Sequence, residues 1–425
     1  MNEHNNTSIE KTIDWTFFDK YRDCDINQTA LAKDTNAMAN RQLQLQQISG
    51  YQTALNKIPT WAATEKIIYP PHISLEQCSS ETTARYKANI AQRLLQTIKP
   101  SLRKPTTYTF ADLTGGMGVD FSFIAKHLQT IRNENGNNKY LYVEQQEHLC
   151  NIAQHNFKVL GIEQVDINNT NAEEIIKGND FFDIVMLDPA RRNKHGARTY
   201  DIADCTPNYI QLQDKLLSHA LFVIVKLSPM LDHIEVLRQV KCVKEIHFVG
   251  TKRECKELLV IASQHIDKPL GIFAAAEIDT IHIEQHQINQ PVKIAETINE
   301  GMMLVEPTST MMKTQAYGFI CQNYNLKAIA KNSHLFIGNI NQRHLLPDNL
   351  FRIFTIENIS SMNKTQLRQT LTGIDRANIT TRNFPLSAPQ LQQKLKLKDG
   401  GTKYIFATTD SQQQHIIIVA NKLSE

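Results

Sequence analysis

Two segments of this sequence end in acids and could form a ligand site at one edge of a sheet. The apolar run 182–187 leads into Asp188-Pro189-Ala190-Arg191, and an earlier run ends at Asp112. A buried strand that ends in an acid and a proline places a carboxylate at the carboxyl edge of a sheet. Open α/β sheets bind their ligands at that edge, so the two segments together indicate a ligand site there.

A glycine cluster follows the first acid and indicates the kind of ligand. Asp112 precedes Thr114, Gly115, Gly116 and Gly118, and such a turn lets the backbone approach a ligand at the start of the next helix. Phosphate cofactors use this turn through helix N–H groups, but the carboxylate of Asp112 would repel a pyrophosphate. It would attract the ammonium group of a zwitterionic amino acid, such as the methionine part of S-adenosylmethionine. The pattern therefore favours a methyl donor over NAD.

Two later segments would complete the cofactor site. Glu144 ends the run 141–143 and could accept hydrogen bonds from both ribose hydroxyls. Farther along, the side-chain amide of Asn171 and a backbone N–H next to it could meet the edge of adenine. The predicted cofactor-binding residues are Asp112, Thr114, Gly115, Gly116, Gly118, Glu144, Asn171, Ala172 and Asp188.

The segment at Asp188 resembles two known motifs with different chemistry. It is similar to the Asp/Asn-Pro-Pro-aromatic motif of class I amino-methyltransferases and to the Asp-Pro-Pro-Arg motif of enzymes that make 5-methyluridine in RNA. A carboxylate and the Pro189 carbonyl could accept from an exocyclic amine and favour the charge that develops on nitrogen. Methylation at C5 needs a covalent nucleophile, usually a thiolate. In the uridine family that thiol ends a later strand, where this sequence has Leu227, so transfer to nitrogen is favoured.

Two cations accompany this motif. Arg191 replaces the aromatic residue, and its guanidinium could stack on a base or hold a phosphate; the alternative is a structural pair with a nearby acid. Lys226 lies inside a strand, where a buried lysine is costly unless it is paired. It either pairs with Asp188 or another site carboxylate, or reaches solvent at the strand end. The predicted catalytic residues are Asp188, Pro189, Arg191 and Lys226.

Alternating strands and helices would position these residues. Separated apolar runs predict a parallel sheet, and a later pair joined by the polar link 250–253 suits a hairpin. A parallel sheet that ends in an antiparallel pair is typical of Rossmann-like methyltransferases. The predicted strands are 108–113, 140–144, 184–188, 222–227, 245–249 and 257–262.

The whole chain resembles a family of class I methyltransferases with a THUMP-like C-terminal domain. The segments that carry the resemblance are 75–80, 112–118, 188–192, 226–232, 254–259, 306–307, 312–313, 382–385 and 396–401. The resemblance implies an α/β fold with a Rossmann-like catalytic domain, an N-terminal helical region and C-terminal α+β modules. The implied parts are a helical region at 1–75, a methyltransferase domain at 76–268, a ferredoxin-like segment at 269–345 and a THUMP-like domain at 346–425.

The C-terminal third carries the positive charge of the chain. The net charge is +3, yet residues 300–425 alone hold 14 Lys and Arg against 8 Asp and Glu. Basic residues interleaved with aromatic ones can bind a nucleic-acid backbone and stack bases, although an ordinary solvated surface has the same composition. The residues concerned are Arg376, Arg382, Lys394, Lys396, Lys398 and Lys403, with Phe384, Tyr404 and Phe406. Phe406 lies in an alternating run and is expected in the core.

Composition also indicates which kinds of site and which cellular locations to exclude. The seven cysteines have no metal-binding or redox spacing, so we expect reduced thiols and no metal. No apolar stretch approaches the roughly 18 residues that cross a bilayer, and the polar N-terminus is no secretory signal. We therefore expect a cytoplasmic protein without a membrane partner, and the sequence leaves its oligomeric state open.

Three hypotheses follow. The first is an S-adenosylmethionine-dependent methyltransferase that acts on a base nitrogen of RNA, tRNA or rRNA, without a covalent enzyme intermediate. The second is a DNA adenine methyltransferase, since the same Asp-Pro chemistry serves that amine. The third is a non-catalytic RNA-binding protein that retains a cofactor fold.

Overall fold

The structure is a computed structural model, and it describes residues 12–31, 41–98, 107–131, 138–190 and 201–423. The chain divides into two units. The first comprises Met1–Val243 with Val260–Asp267, and the second comprises Lys244–Leu259 with Lys268–Glu425. Arg191, a predicted catalytic residue, lies outside the described residues.

The first unit begins with six helices. They are α1 (Trp15–Tyr21), α2 (Ile26–Leu31), α3 (Arg41–Lys57), α4 (Pro59–Ala62), α5 (His72–Gln77) and α6 (Glu81–Gln96). The Ser80 side chain caps α6 by accepting from the Thr83 N–H, as side-chain oxygens do at helix starts. The alanines and leucines of α6 are buried and give this helix an apolar face.

A parallel sheet forms the rest of the first unit. Its strands are β1 (Thr109–Asp112), β2 (Lys139–Val143), β3 (Val165–Asn168), β4 (Phe182–Leu187) and β5 (Ala220–Leu227), and its helices are α7 (Val119–Gln129), α8 (Glu147–Val159), α9 (Ala172–Ile175), α10 (Tyr209–His219) and α11 (His233–Gln239). The strand order is β3-β2-β1-β4-β5, with every pairing parallel. The predicted parallel sheet is confirmed, with β3 as an unpredicted edge strand.

The order of the sheet reverses between β1 and β4, which is the point where such sheets bind ligands. Asp112 pairs with Met186 of β4 on one side and with Tyr142 of β2 on the other. Glu144 and Asp188 each follow two residues after those partners. The register therefore brings three predicted acids to one edge of the sheet.

The second unit contains two groups of strands. The first group is β6 (Val243–Gly250), β7 (Cys255–Ala262), β8 (Gly271–Ala276) and β9 (Asp279–Glu284). β6 and β7 are neighbours, and the Thr251 N–H donates to the Glu254 carbonyl at 2.8 Å across their link, as the predicted hairpin requires. β8 pairs in parallel with β6 and antiparallel with β9.

A mostly antiparallel sheet forms the second group, in the order β11-β12-β10-β13-β16-β15-β14. Its strands are β10 (Met303–Pro307), β11 (Lys327–Ala328), β12 (Phe336–Gly338), β13 (Phe351–Ser361), β14 (Asn378–Arg382), β15 (Lys403–Thr409) and β16 (His415–Lys422). The accompanying helices are α12 (Gln285–Ile288), α13 (Ser309–Lys313), α14 (Tyr317–Asn323), α15 (Lys364–Thr370) and α16 (Ala388–Leu395). Within this sheet, β14 and β15 pair in parallel. This sheet confirms the predicted α+β character of the C-terminal part.

The β15 side chains alternate between two apolar cores. Phe406 belongs to one core and is 1% exposed, whereas Ile405 and Ala407 belong to the other. The expectation that Phe406 is a core residue is therefore confirmed. Among the helices that the structure describes, none is long and apolar enough to cross a membrane.

Candidate active site

The turn after β1 is built to bring backbone close to a ligand. A side chain at Gly115 would collide with the Tyr142 ring, whose nearest carbon lies 2.1 Å from an ideal Cβ position. Gly118 begins α7 with φ of 84°, a conformation that glycine adopts without steric cost. A backbone hydrogen bond fixes the turn, because the Gly115 N–H donates to the Val143 carbonyl at 2.8 Å.

Asp112 is buried at the end of β1 and has an unusual acidity. Burial, together with the charges of Asp120 and Asp188, raises the pKa of its carboxyl group to about 7. One hydrogen bond opposes this, because the Thr114 N–H donates to Asp112 Oδ1 at 3.0 Å. A cationic ligand at this carboxylate would favour its ionised form.

Thr114 links the two strand ends. Its hydroxyl oxygen accepts from the Asp188 N–H at 2.6 Å, while its own N–H binds Asp112. The threonine thereby fixes the two predicted acids relative to each other.

Glu144 reaches over the glycine turn from the end of β2. Its Oε2 accepts from the Gly116 N–H at 2.9 Å, and its Oε1 accepts from the Gln146 N–H at 2.9 Å. A carboxylate oxygen can accept more than one hydrogen bond, so each oxygen retains capacity for a ribose hydroxyl.

Asn171 and Ala172 lie at the start of α9. The Asn171 side-chain oxygen caps this helix by accepting from the Glu174 N–H at 2.9 Å, and Ala172 is buried. The cap engages the amide oxygen of Asn171, which leaves its NH₂ group as the donor available to a ligand.

Asp188 and Lys226 form an ion pair at the ends of β4 and β5. Lys226 Nζ lies 2.6 Å from Asp188 Oδ2 and 3.5 Å from Asp120 Oδ2. The Asp188 side chain is 42% exposed, whereas that of Lys226 is 11% exposed. Of the two sequence alternatives for Lys226, the structure shows pairing, and it adds Asp120 as a second partner.

Pro189 and Ala190 continue from Asp188 away from the sheet. Pro189 is buried, and Ala190 exchanges backbone hydrogen bonds with Thr206 at 2.7 and 3.0 Å. These bonds hold the segment after Asp188 in a fixed path.

A buried charge network lies beneath Lys226 and was not predicted. Lys87 is fully buried and lies 3.0 Å from Asp120 Oδ1, and Ser79 donates to Asp120 Oδ2 at 2.7 Å. Burial alone would raise the pKa of Asp120, but the ammonium groups of Lys87 and Lys226 hold it below its ordinary value. The signal in the sequence was Lys87 itself, a charged residue next to Ala84 and Ala88 on the apolar face of α6.

The thiols near this site do not suit covalent catalysis. Leu227 ends β5 as predicted, with an apolar side chain that is 6% exposed. Cys78 lies within electrostatic range of Asp120 and Lys226, but burial raises the pKa of its thiol to about 11. Its S–H group also donates to the Leu75 carbonyl at 3.1 Å. Because the thiolate is the reactive form, Cys78 is a poor nucleophile.

The charged and hydrogen-bonding groups at this edge of the sheet fit S-adenosylmethionine. Asp112 offers a buried carboxylate to an ammonium group, Glu144 offers acceptors to a ribose, and Gly115 leaves open backbone where a side chain cannot fit. The titratable groups at the edge and beneath it carry more negative than positive charge, which suits a cationic cofactor. In the described ranges, no group of His, Cys, Asp and Glu side chains could hold a metal ion.

Two residues of the C-terminal basic cluster form ion pairs with acids of the chain. Arg382 lies 2.9 Å from Glu306 Oε1, and Lys403 lies 2.5 Å from Glu357 Oε2. Tyr404 packs beside Phe406 against the core rather than forming an open stacking surface. Phe406 is therefore a core residue, as its alternating run predicts, and Tyr404 is partly buried against the same core.

Comparisons with known proteins agree with this architecture. Residues 351–422 match the family model described as THUMP domain-like, and residues 304–343 match one described as a ferredoxin-like domain. A candidate methyltransferase from Porphyromonas gingivalis W83, known from its crystal structure, is 26% identical with a TM-score of 0.79. The alignment covers 96% of this chain and 97% of that chain.

Other solved structures align over less of the chain. A candidate class I S-adenosylmethionine-dependent methyltransferase from Listeria monocytogenes is 9% identical over 47% of this chain and 68% of its own, with a TM-score of 0.32. An rRNA methylase from Streptococcus thermophilus is 13% identical over 41% and 95%, with a TM-score of 0.29. No curated protein matches the chain. The predicted fold class is confirmed by the full-length similarity and the two family models.

Proposed function

We propose that this S-adenosylmethionine-dependent methyltransferase modifies a base nitrogen of RNA, in tRNA or rRNA, without a covalent enzyme intermediate. The observation that carries the proposal is the Asp188 carboxylate. One of its oxygens is bound by Lys226 at 2.6 Å, while 42% of the side chain is exposed at the ligand-binding edge. The other oxygen is therefore positioned to accept from a substrate amine.

The role of each residue in cofactor binding follows from the groups at this edge of the sheet. Asp112 would hold the ammonium group of the methionine part next to the backbone of 115–118. Glu144 would accept from the ribose hydroxyls, and Asn171 with the Ala172 N–H would contact the adenine. When bound, the cofactor supplies an electrophilic methyl group on a sulfonium.

The amine is activated by hydrogen-bond acceptors. An exocyclic amine has its lone pair delocalised into the ring, so acceptors at its N–H bonds favour the charge that develops on nitrogen. Asp188 and the Pro189 carbonyl supply these acceptors. Lys226 fixes the orientation of Asp188, and Asp120 with Lys87 fixes Lys226.

Arg191 is assigned to the substrate side of the site. It directly follows the fixed segment 188–190 and carries a planar guanidinium, which can stack on a base or hold a phosphate in a fork. Arg191→Lys keeps the charge but loses the fork and the stacking plane. We expect it to raise the KM for RNA nearly as much as Arg191→Ala does; full activity of both variants would argue for a purely structural role.

Two observations support nitrogen and RNA over the alternatives. The strand end at Leu227 lacks a thiol, and the nearby Cys78 thiol has a pKa of about 11, which disfavours transfer to pyrimidine C5. The THUMP-like match at 351–422 and the basic C-terminal third favour RNA as the substrate. We also propose a cytoplasmic location, which the seven free cysteines support.

The test uses RNA that lacks the modification. Purified protein and cofactor with a labelled methyl group are mixed with RNA from a deletion strain and, separately, with RNA from the parent strain. We expect label only in the first RNA, and mass spectrometry of its nucleosides should show an N-methylated base. Asp188→Ala should lose transfer. Labelled DNA with unlabelled RNA would overturn the substrate, and a C5-methylated pyrimidine would overturn the mechanism.

A further inference from the structure

The second unit contains a basic cavity that the methyl-transfer site does not use. Its volume is about 350 Å³, and it is lined by Lys252, Asp348, Phe351, Arg352, Ile353, Lys422 and Leu423. Lys252 lies in the link between β6 and β7, Arg352 lies on β13, and Lys422 ends β16. The register of β13 and β16 sets two of these cations close together, because Lys422 pairs with Phe354. Three separate elements thus each contribute one cation to the cavity.

A buried glutamate holds Arg352 in place. Glu306 is 2% exposed, and its Oε2 lies 2.5 Å from Arg352 Nη1. The Arg352 guanidinium also lies over two rings, 5.3 Å from the centroid of Phe354 and 5.7 Å from that of Tyr404. These contacts fix the plane of the guanidinium before any ligand arrives, which lowers the entropy cost of binding.

A second arginine leaves the charge of Arg352 uncompensated. Arg382 binds the other oxygen of Glu306 at 2.9 Å, so one carboxylate faces two guanidinium groups. The net charge of this trio is positive. Each arginine is 33% exposed, and each carries more donors than the single carboxylate can accept.

The two lysines add to this positive charge. Lys422 pairs with β13 through its backbone, but in the part of the chain that the structure describes neither the Lys252 nor the Lys422 side chain makes a hydrogen bond or an ion pair. The one acid in the lining, Asp348, is bound by the Arg343 guanidinium and is therefore neutralised. The cavity thus presents a fixed guanidinium and two available ammonium groups to a ligand.

We propose that this cavity binds a phosphate of the RNA substrate's backbone and anchors the RNA in the second unit. A planar guanidinium with flanking ammonium groups is the donor set that phosphates prefer. The volume lies at the lower end of the 300–1,000 Å³ or so that ligand sites occupy, which suits a nucleotide unit. A lipid surface is disfavoured, since membrane-binding clusters hold about four to eight basic residues. This inference rests on the proposed RNA methyltransferase function.

Binding measurements test the cavity with matched charge changes. The variant K252E/K422E reverses two cavity cations, and K331E/K364E makes the same change at two exposed lysines outside the lining. Bulk tRNA, fragmented rRNA and single-stranded DNA of similar length are titrated at several salt concentrations. We expect K252E/K422E to bind RNA at least tenfold more weakly. The slope of log affinity against log salt should become shallower by about 0.7 for each phosphate that the variant no longer binds. The control should bind like the wild type.

Two further measurements separate binding from folding. K252Q/K422Q removes the charges without reversing them and should weaken RNA binding by a smaller factor in the same direction. S-adenosylmethionine affinity, measured by calorimetry, should equal that of the wild type in every variant. In methyl transfer, K252E/K422E should raise the KM for RNA by a factor similar to its decrease in affinity, with kcat at saturating RNA within about twofold.

The possible outcomes test the proposed phosphate site separately from the proposed methyl-transfer reaction. If K252E/K422E keeps the affinity and salt slope of the wild type, the proposal about the cavity is wrong and the proposed methyl-transfer reaction is unaffected. The expected decrease in affinity in a protein that methylates no RNA would overturn the reaction and support the cavity. An equal decrease for single-stranded DNA would support a site that contacts phosphate alone, whereas a decrease for DNA without one for RNA would overturn the proposal. If the wild type binds no RNA, both proposals are wrong.

Discussion

The two units each bury a carboxylate between two cations, but the surrounding charges differ in sign. In the first unit, Asp120 lies between Lys87 and Lys226, and the acids Asp112 and Asp188 lie around this trio. In the second unit, Glu306 lies between two arginines, and the cavity beside Arg352 is lined by lysines. The first arrangement suits a cationic ligand and the second an anionic one.

The choice of cation differs between the two clusters as well. Lysine is a compact charge that can be buried completely beside one carboxylate, as Lys87 is. Arginine keeps several donors after it has bound one carboxylate, and Arg352 and Arg382 remain one-third exposed. The lysine cluster therefore positions the side chains of a ligand site, while the arginine cluster can itself contact a ligand.

Removal of Asp188 should have the largest effect. Asp188→Asn keeps one acceptor oxygen but loses the charge, and it frees Lys226 to approach Asp120. Because electrostatic stabilisation of this kind contributes about 10²–10³ in rate, we expect kcat to fall by that factor. Single-turnover methyl transfer measures it, and Asp188→Ala should be at least as impaired. An unaltered kcat in both variants would show that another group accepts from the amine.

Removal of Lys87 should destabilise the first unit more than loss of Glu306 destabilises the second. Lys87→Met leaves Asp120 buried with a single cationic partner, and breaking a buried pair costs about 3–5 kcal/mol in the free energy of unfolding. Glu306→Gln leaves two arginines that water still reaches, so we expect about 1–3 kcal/mol. Denaturant unfolding of both variants gives the comparison. Equal costs would contradict the distinction between a buried and a partly solvated cluster.

The pH dependence of cofactor affinity should report Asp112. Its pKa is raised to about 7 without a ligand, and the ammonium group of the cofactor favours the ionised form. Below pH 7 a proton must leave before the cofactor binds, so affinity should fall by about tenfold per pH unit. The same shift implies that the folded protein binds more protons than the unfolded chain between the ordinary pKa of an aspartate and 7. The stability contributed by this group is therefore lost as the pH rises through 7.

Calorimetric titrations between pH 8 and pH 5.5 check this prediction. Asp112→Asn is the matched control, because it removes the ionisable group and keeps the shape. We expect weaker cofactor binding in this variant, with little dependence on pH in that range. A wild-type affinity that stays constant down to pH 5.5 would mean that Asp112 does not contact the ammonium group.

The sequence revealed residues whose position follows from local pattern. Asp112, Glu144 and Asp188 each end an apolar run, and parallel strands bring their carboxyl ends to one edge, so their proximity could be predicted. Three of the strands without a predicted counterpart have weak patterns. β3 is half exposed, the side chains of β14 are all partly exposed, and β8 is rich in alanine.

Pairings that depend on how separate elements pack could not be predicted. Asp120 meets Ser79 across 41 positions because α6 packs against α7, and Glu306 meets Arg382 across 76 positions. No periodicity specifies such contacts, since they depend on how elements pack. The one local signal was a charge at a buried position, which must be paired wherever it occurs.

The thiols should show the smallest effect, and they decide whether the acid-rich site works by acceptors alone. Cys78 is held as a thiol by burial, and Cys205 is buried beside Thr206, the partner of Ala190. If transfer is direct, Cys78→Ala and Cys205→Ala, alone and together, should keep kcat within about twofold. A covalent route would lose nearly all activity in one of them and would form a protein–RNA adduct visible by mass spectrometry. Activity in the double variant, together with its loss in Asp188→Asn, would assign the chemistry to the carboxylate at the strand end.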